Sequence, residues 1–358
     1  MNQTATQFAP QTEVYDNPIG TDGFEFVEFA AADPSALQGI FDKLGFTPVG
    51  RHKKLNVMLY RQGDLNFLIN GEPGSFAAQF TSLHGPCACA MGFRVKDAKL
   101  AFQKLIDRGA EPYTGTNLTF NAPAIYGIGG SIIYLIDDYA DHKAYAQDFE
   151  PLSVQSSGDV GFTYLDHLTH NVHQGNMDKW AEFYVKLFNF REIRYFDIKG
   201  QQTGLVSRAM TSPCNKIRIP INEGTEKESQ IEEYLREYNG EGIQHIAFGT
   251  DDIYKTVETL RASGIGFLEF PDTYYEMLET RMPGHGEDMT RLQKNRILID
   301  GEMDKPGKPL LLQIFTNTVI GPIFFEIIQR KGHQGFGEGN FQALFEAMEL
   351  DQVRRGVL

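Results

Sequence analysis

The feature that most narrows the possible folds is an internal repeat displaced by 155 positions. Asp97, Leu105 and Gly109 recur as Asp252, Leu260 and Gly264, each set in an apolar run, an amphipathic stretch and a closing glycine. An aspartate ahead of an apolar-periodic stretch is a helix N-cap, the leucine is a core position of that helix, and the glycine ends it. The runs that precede them, CACAMGFRV and GIQHIAFGT, read as strands. A strand–helix unit repeated at this distance builds two related bodies, whereas a solenoid has a far shorter period.

Each half holds two such units. The stretch FEFVEFA, from Phe24 to Ala30, alternates like a half-buried strand. Asp33-Pro34 then supplies an N-cap with proline at the first helical position, ahead of LQGIFDKLGF. KKLNVMLYRQG and DLNFLING continue as strands, and SIIYLID closes the second unit. In the second half GFTYLDHLTHNV is a strand and DKWAEFYVKLFNF a helix with apolar residues at helical spacing. The spacing predicts an α+β protein of four βαβββ units, and by analogy each pair of units curves into an open barrel around a cavity. Residues 1–22 read as a polar leader, 23–150 as one domain and 151–358 as a second, joined by the Ser-rich PLSVQSSGD.

A chain of 358 residues with 41 % hydrophobic and 22 % charged residues fits two soluble globular domains. The formal net charge of -14 leaves no basic face for nucleic acid, so that partner class is excluded. It also means that a carboxylate-bearing substrate needs a local cation, such as a metal. Cys87, Cys89 and Cys214 make no disulfide framework; Cys87 and Cys89 share one face of a strand and read as reduced structural residues. The N-terminus lacks a basic region followed by an apolar one, and no run approaches the ~18 apolar residues of a membrane span. A cytoplasmic protein without membrane contact is the expectation.

Nine histidines are present, and the informative question is which of them share a metal. His167, His170 and His173 crowd one segment. On a strand His167 and His170 face opposite sides, while His167 and His173 share a face but lie ~20 Å apart. The cluster therefore gives at most one ligand to any one ion. His245 stands in the opening strand of the fourth unit and Glu326 in the closing strand, each among apolar neighbours. A carboxylate there is costly to bury unless it is paired or bound to a metal. Two imidazoles and one carboxylate make the facial triad of Fe(II) oxygenases, and the same set holds Zn(II) in hydrolases. The first half is an internal control. Ala90 matches His245, Leu135 matches Glu326 and a position near Glu28 matches His167, so a single metal site belongs to the second half.

Five segments in order, DHLTHNV, GIQHIAF, LLQIFT, FFEIIQR and GFGEGNFQALFEAME, resemble the bacterial-type 4-hydroxyphenylpyruvate dioxygenase family. The resemblance runs from about Gly23 to the C-terminal helix. It implies the vicinal-oxygen-chelate fold and one Fe(II) per chain, held in the second half by His167, His245 and Glu326. It also implies a substrate pocket containing Ser207, Asn222, Gln230, Gln244 and Gln313, with Phe315, Phe324, Phe336 and Phe341 around the ring. The implied reaction takes 4-hydroxyphenylpyruvate and O2 to homogentisate and carbon dioxide, a step of tyrosine and phenylalanine catabolism, and a homo-oligomer is expected. Asn222 and Gln230 would meet the phenol and Gln313 the keto acid. The glycine-rich QGFGEGNF, which lacks G-x-G-x-x-G spacing, reads as a hinge for a terminal helix that closes over the site. Three alternatives share the fold: a hydroxymandelate synthase, a glyoxalase-type Zn or Ni isomerase, and a non-catalytic binding protein. The isomerase needs a fourth protein ligand, which Ala90 and Leu135 do not offer.

Overall fold

A computed structural model describes residues 15–154, 158–199, 204–226 and 229–354. Most of the polar leader, the middle of the connection after residue 154 and the last four residues lie outside that range.

The first half contributes β1 (Thr21–Ala30), β2 (Thr47–His52), β3 (Val57–Gln62), β4 (Leu65–Asn70), β5 (Cys87–Val95), β6 (Ala124–Tyr126), β7 (Ile132–Ile136) and β8 (Phe149–Pro151). The second contributes β9 (Phe162–Val172), β10 (Arg191–Lys199), β11 (Gly204–Thr211), β12 (Arg218–Gly224), β13 (Gly242–Thr250), β14 (Leu298–Gly301), β15 (Leu310–Phe315) and β16 (Phe324–Lys331). Two eight-stranded sheets result, ordered β6-β7-β5-β1-β4-β3-β2-β8 and β10-β11-β12-β9-β13-β16-β15-β14. The run β7-β5-β1-β4 of one sheet is repeated as β16-β13-β9-β12 in the other. In both, the unit-opening strands pair antiparallel at the centre and parallel with their outer neighbours. Neither order closes on itself, so each sheet stays open, as the expected open barrels require. The second unit departs from the βαβββ pattern: β8 crosses to the far edge and pairs with β2.

The repeated caps take the geometry their residue types dictate. Asp97 accepts from the Leu100 amide at 2.8 Å and Asp252 from the Lys255 amide at 3.1 Å. Gly109 and Gly264 close their helices at φ +90° and +88°, a region that costs side-chain-bearing residues energy. The short helices Phe76–His84, Asp272–Glu276, Leu278–Arg281 and Met289–Asn295 have no counterpart in the sequence reading. The leader also ends earlier than expected, since Ile19 is buried and Thr21 already pairs in β1.

The outer faces of the two sheets share one core. Phe67 of the first half packs on Phe248 and Phe325 of the second, with ring centroids 5.6 and 6.3 Å apart, and Phe46 lies 6.1 Å from Phe248. The two bodies are thus joined by a continuous aromatic seam. Cys87 and Cys89 are both buried in this core as free thiols, and burial pushes the Cys87 thiol up to about 12. No helix among the described residues is long and apolar enough to cross a membrane.

The inner faces differ. That of the first half is filled by a second apolar cluster that includes Phe26, Phe120, Tyr134, Tyr145 and Phe149. Here the register corrects two sequence correspondences. Gly92 pairs with Phe26 as Ala247 pairs with His167, so Phe26, not Glu28, matches His167. Ala90 pairs with Ile132 as His245 pairs with Phe324, so two residues further on Tyr134, not Leu135, matches Glu326. Leu135 points into the shared core, while Tyr134 faces inward. The inner face of the second half encloses a cavity.

Candidate active site

Three adjacent strands bring the three candidate ligands together. On the central strand β13, Ala247 is the register partner of His167 on one side and of Glu326 on the other. His245 lies two residues before Ala247, hence on the same face of β13. The two flanking side chains can lean over the small Ala247 methyl towards His245. Their tips meet: His167 Nε2 is 3.1 Å from Glu326 Oε2, His245 Nε2 is 3.4 Å from the same oxygen, and the two Nε2 atoms are 3.3 Å apart. Donors ~2.1 Å from one ion stand ~3.0 Å apart at octahedral angles and ~3.4 Å apart at tetrahedral ones, so the trio fits a single cation.

Each imidazole is fixed from behind. His167 Nδ1 lies 2.8 Å from Asp166 Oδ1, and His245 Nδ1 lies 2.8 Å from Gln244 Oε1. Each ring therefore donates through Nδ1 to its acceptor and offers the Nε2 lone pair to the centre. Two lone pairs and a carboxylate oxygen aimed at one buried point repel each other unless a proton or a cation lies among them. Without a cation the protons redistribute. Burial alone would lower His167, but the Glu326 and Asp166 carboxylates outweigh it and raise its pKa. Burial lowers His245, and Glu326 stays below its ordinary range because the two imidazoles outweigh its own desolvation. Asp166 is held well below the usual carboxylate range, since Arg330 and Arg218 overcome the effect of its burial.

The donors line a cavity of about 80 Å³. Its apolar walls are Phe196, Leu205, Pro220, Phe315, Phe336 and Phe341, and its polar lining is Thr169, Ser207, Asn222, Gln313 and Glu338. Ser207 and Asn222 are cross-strand partners on β11 and β12, which carries both to the same wall. Gln313 Oε1 and Thr169 Oγ1 are buried with no hydrogen-bond partner among the described residues. Such groups are costly unless a polar ligand satisfies them. Phe336 precedes the C-terminal helix Glu338–Arg354, whose first turn adds Glu338 and Phe341 to the lining.

Of the expected pocket residues, Ser207, Asn222, Gln313, Phe315, Phe336 and Phe341 line the cavity. Gln244 and Phe324 instead touch His245, the first through its ring nitrogen and the second by stacking at 4.8 Å. Gln230 is exposed at the start of the helix Gln230–Tyr238 and does not line the cavity. His170 faces away from the donors as expected, against Tyr184 Oη at 2.7 Å; burial keeps it neutral, with its pKa lowered to about 3. The sequence reading missed Phe196, Leu205, Pro220, Thr169 and Glu338. For the three on β11, β12 and β9 the available signal was alternation: Leu205, Pro220 and Thr169 share strand parity with Ser207, Asn222 and His167.

Residues 15–150 match the family model described as hydroxyphenylpyruvate dioxygenase, HPPD, N-terminal, and residues 164–281 match the Glyoxalase/Bleomycin resistance protein/Dioxygenase superfamily. The chain is 56 % identical over 350 residues to a 4-hydroxyphenylpyruvate dioxygenase of Pseudomonas aeruginosa, covering 96 % of this chain and 97 % of that one. It belongs to the 4-hydroxyphenylpyruvate dioxygenase family. A protein named hemolysin VllY, from Vibrio vulnificus, is 57 % identical over 351 residues, covering 96 % of this chain and 98 % of that one. Among solved structures, a triple mutant of 4-hydroxymandelate synthase from Streptomyces coelicolor superimposes with a TM-score of 0.79 at 24 % identity. That match covers 93 % of this chain and 99 % of the synthase, and it shows a shared fold. In this chain the donor trio is a His/His/Glu group able to bind a metal.

Proposed function

We propose that this chain converts 4-hydroxyphenylpyruvate and O2 to homogentisate and carbon dioxide, with one Fe(II) per chain held by His167, His245 and Glu326. The observation that carries the reading is the convergence of three donor atoms on a cavity that also presents four phenylalanines and the polar Ser207, Asn222 and Gln313. Three protein donors leave further coordination positions open, as oxygenase chemistry requires. When bound, Fe(II) would supply the activation of O2 and the cation that an α-keto acid needs in so acidic a protein.

The chain's own residues supply the rest. Asp166 and Gln244 keep the two imidazoles in the tautomer that presents Nε2 inward. Gln313 donates from its amide nitrogen to the substrate's α-keto acid, which offers only acceptors, while Ser207 and Asn222 take the phenol at the other wall. Phe315, register partner of Glu326, holds the ring beside the donors, and Phe336 and Phe341 keep bulk water out. Free thiols at Cys87, Cys89 and Cys214 suit the reducing cytoplasm, where we place the reaction.

The test is oxygen uptake by protein loaded with Fe(II) under anaerobic conditions and then given 4-hydroxyphenylpyruvate in air, with products separated by chromatography. Homogentisate in step with the oxygen consumed is the expected result. Hydroxymandelate would keep the fold and the donors but replace the enzyme. No uptake at verified iron occupancy would end the reading.

A further inference from the structure

Asp166 does not line the cavity, yet its carboxylate is the hub of a buried ionic cluster. Oδ1 accepts from His167 Nδ1 at 2.8 Å and Arg330 Nη2 at 2.7 Å; Oδ2 accepts from Arg330 Nε at 2.6 Å and Arg218 Nη1 at 3.3 Å. The cations reach further. Arg330 Nη1 donates to the carbonyls of His333 and Gly335 at 3.2 and 2.6 Å, and Arg218 Nη2 donates to Gln334 Oε1 at 2.7 Å. These three residues form the loop that leads into the C-terminal helix. The next residue, Phe336, sets its ring edge-on to His167 at 5.3 Å and lies 5.6 Å beneath the Arg330 guanidinium. One cluster therefore grips a candidate metal ligand on one side and the lip of the cavity on the other.

Buried ionic groups are a weak source of net stability, because an apolar set of similar volume usually does as well. Their distinctive capacity is to demand one geometry from several elements at once. Here those elements are β9 through Asp166, β12 through Arg218, β16 through Arg330 and the loop that follows β16. A shift of the His167 ring breaks a charged hydrogen bond at Asp166, and Arg330 transmits that change directly to the carbonyls of the loop.

We propose that Asp166 is a positioning residue for His167, and that Arg330 and Arg218 link the setting of that imidazole to the order of residues 333–337. Metal loading then tightens the cavity lip, and by reciprocity a tightened lip binds metal better. This rests on the reading of His167, His245 and Glu326 as metal ligands.

The test uses Co(II) as a redox-inert probe on the full chain. Affinity is read by calorimetry, coordination by ligand-field absorption, and loop order by hydrogen exchange of peptides covering 333–343, with and without the metal. In wild type, Co(II) slows exchange in those peptides. Asp166→Asn binds Co(II) about 10–100-fold more weakly, with an altered ligand-field spectrum, because a neutral amide cannot hold the His167 ring and the Arg330 guanidinium together as the carboxylate does. Gln334→Ala, at the half-exposed edge of the cluster, keeps the wild-type spectrum but loses most of the metal-dependent protection. It carries the test even if Asp166→Asn does not fold. Undiminished protection in Gln334→Ala, or wild-type affinity in Asp166→Asn, overturns the proposal. A wild type that binds no Co(II) removes the metal site itself and the proposal with it; normal wild-type loading beside unaltered variants removes the coupling alone.

Discussion

Gln244 Oε1 lies 2.8 Å from Nδ1 of His245, its immediate neighbour in the chain. Consecutive residues of a regular strand point to opposite faces, so this contact needs an irregular backbone. The register supplies one: β13 shifts against β9 between Ile243 and His245, which leaves Gln244 unpaired. The same strand pair shifts again between His167 and Leu165, which leaves Asp166 unpaired beside the other imidazole. Each candidate histidine ligand thus takes its hydrogen-bond partner from a β-bulge, a device that re-aims a single side chain without disturbing the rest of the ladder.

If Gln244 acts through this bond, Gln244→Leu weakens metal binding about tenfold or more, and Gln244→Glu, which keeps an acceptor, recovers most of it. Metal titration of both variants checks this. Equal affinity in the leucine variant would show that the residue serves the substrate alone.

Glu326→Ala removes the only carboxylate among the three donors. Its metal affinity should fall by more than the ~10–100-fold typical of losing a partner behind a ligand, and turnover should drop below detection. Iron content after dialysis and oxygen uptake are the measurements. Wild-type-like turnover would end the assignment of the triad.

Gly337→Ala should cripple the site while leaving the fold largely intact. Gly337 adopts φ +80°, and a Cβ there would stand 1.8 Å from Gln313 Oε1. Relief requires Gln313 or the start of the terminal helix to move, and both contribute to the cavity wall. A raised KM for the keto acid, with a modest loss of melting temperature, is the expected pattern. Unchanged kinetics would mean that Gln313 turns aside without consequence.

The first half offers a prediction in pH. Glu28 is buried; its Oε1 accepts from Asn70 Nδ2 at 2.7 Å and Thr119 Oγ1 at 2.8 Å, and its Oε2 has no partner among the described residues. Burial raises its pKa against those two hydrogen bonds. The folded state therefore keeps a proton that the unfolded chain has already released. Stability should fall as pH rises from the ordinary glutamate range through the raised value, and the loss should be complete above it. Glu28→Gln should flatten that slope and stabilise the protein at neutral pH by about 1–3 kcal/mol. Melting curves between pH 4 and 9 decide it; parallel wild-type and variant profiles would refute the assignment.

Much of this was legible in the sequence, for identifiable reasons. Caps and closing glycines are local, so Asp97, Asp252, Gly109 and Gly264 could be read without knowing what they pack against. The histidine cluster could be sorted by strand parity, which turns His170 away from His167. Other parts depend on contacts no local pattern carries. The match of Leu135 to Glu326 slipped by one residue because it aligned letters, whereas the ladder between β5 and β7 selects Tyr134. Arg218 and Arg330 lie 112 residues apart in the chain and meet only at Asp166. The position of Gln230 depends on where its helix begins, and its exposure could not be read from the segment itself.

The packed interior of the first half has a consequence for anyone who would engineer a second centre there. Phe26, Ala90 and Tyr134 occupy the strand positions that correspond to the three donors, so two histidines and a carboxylate could be written into the chain. The ring of Phe26 lies 4.8 Å from that of Phe120 and 5.5 Å from that of Tyr134, and Tyr145 and Phe149 close over them. Ligands alone would therefore meet a solid. The second half keeps a hollow where the first is filled, so a new metal would first have to be given room.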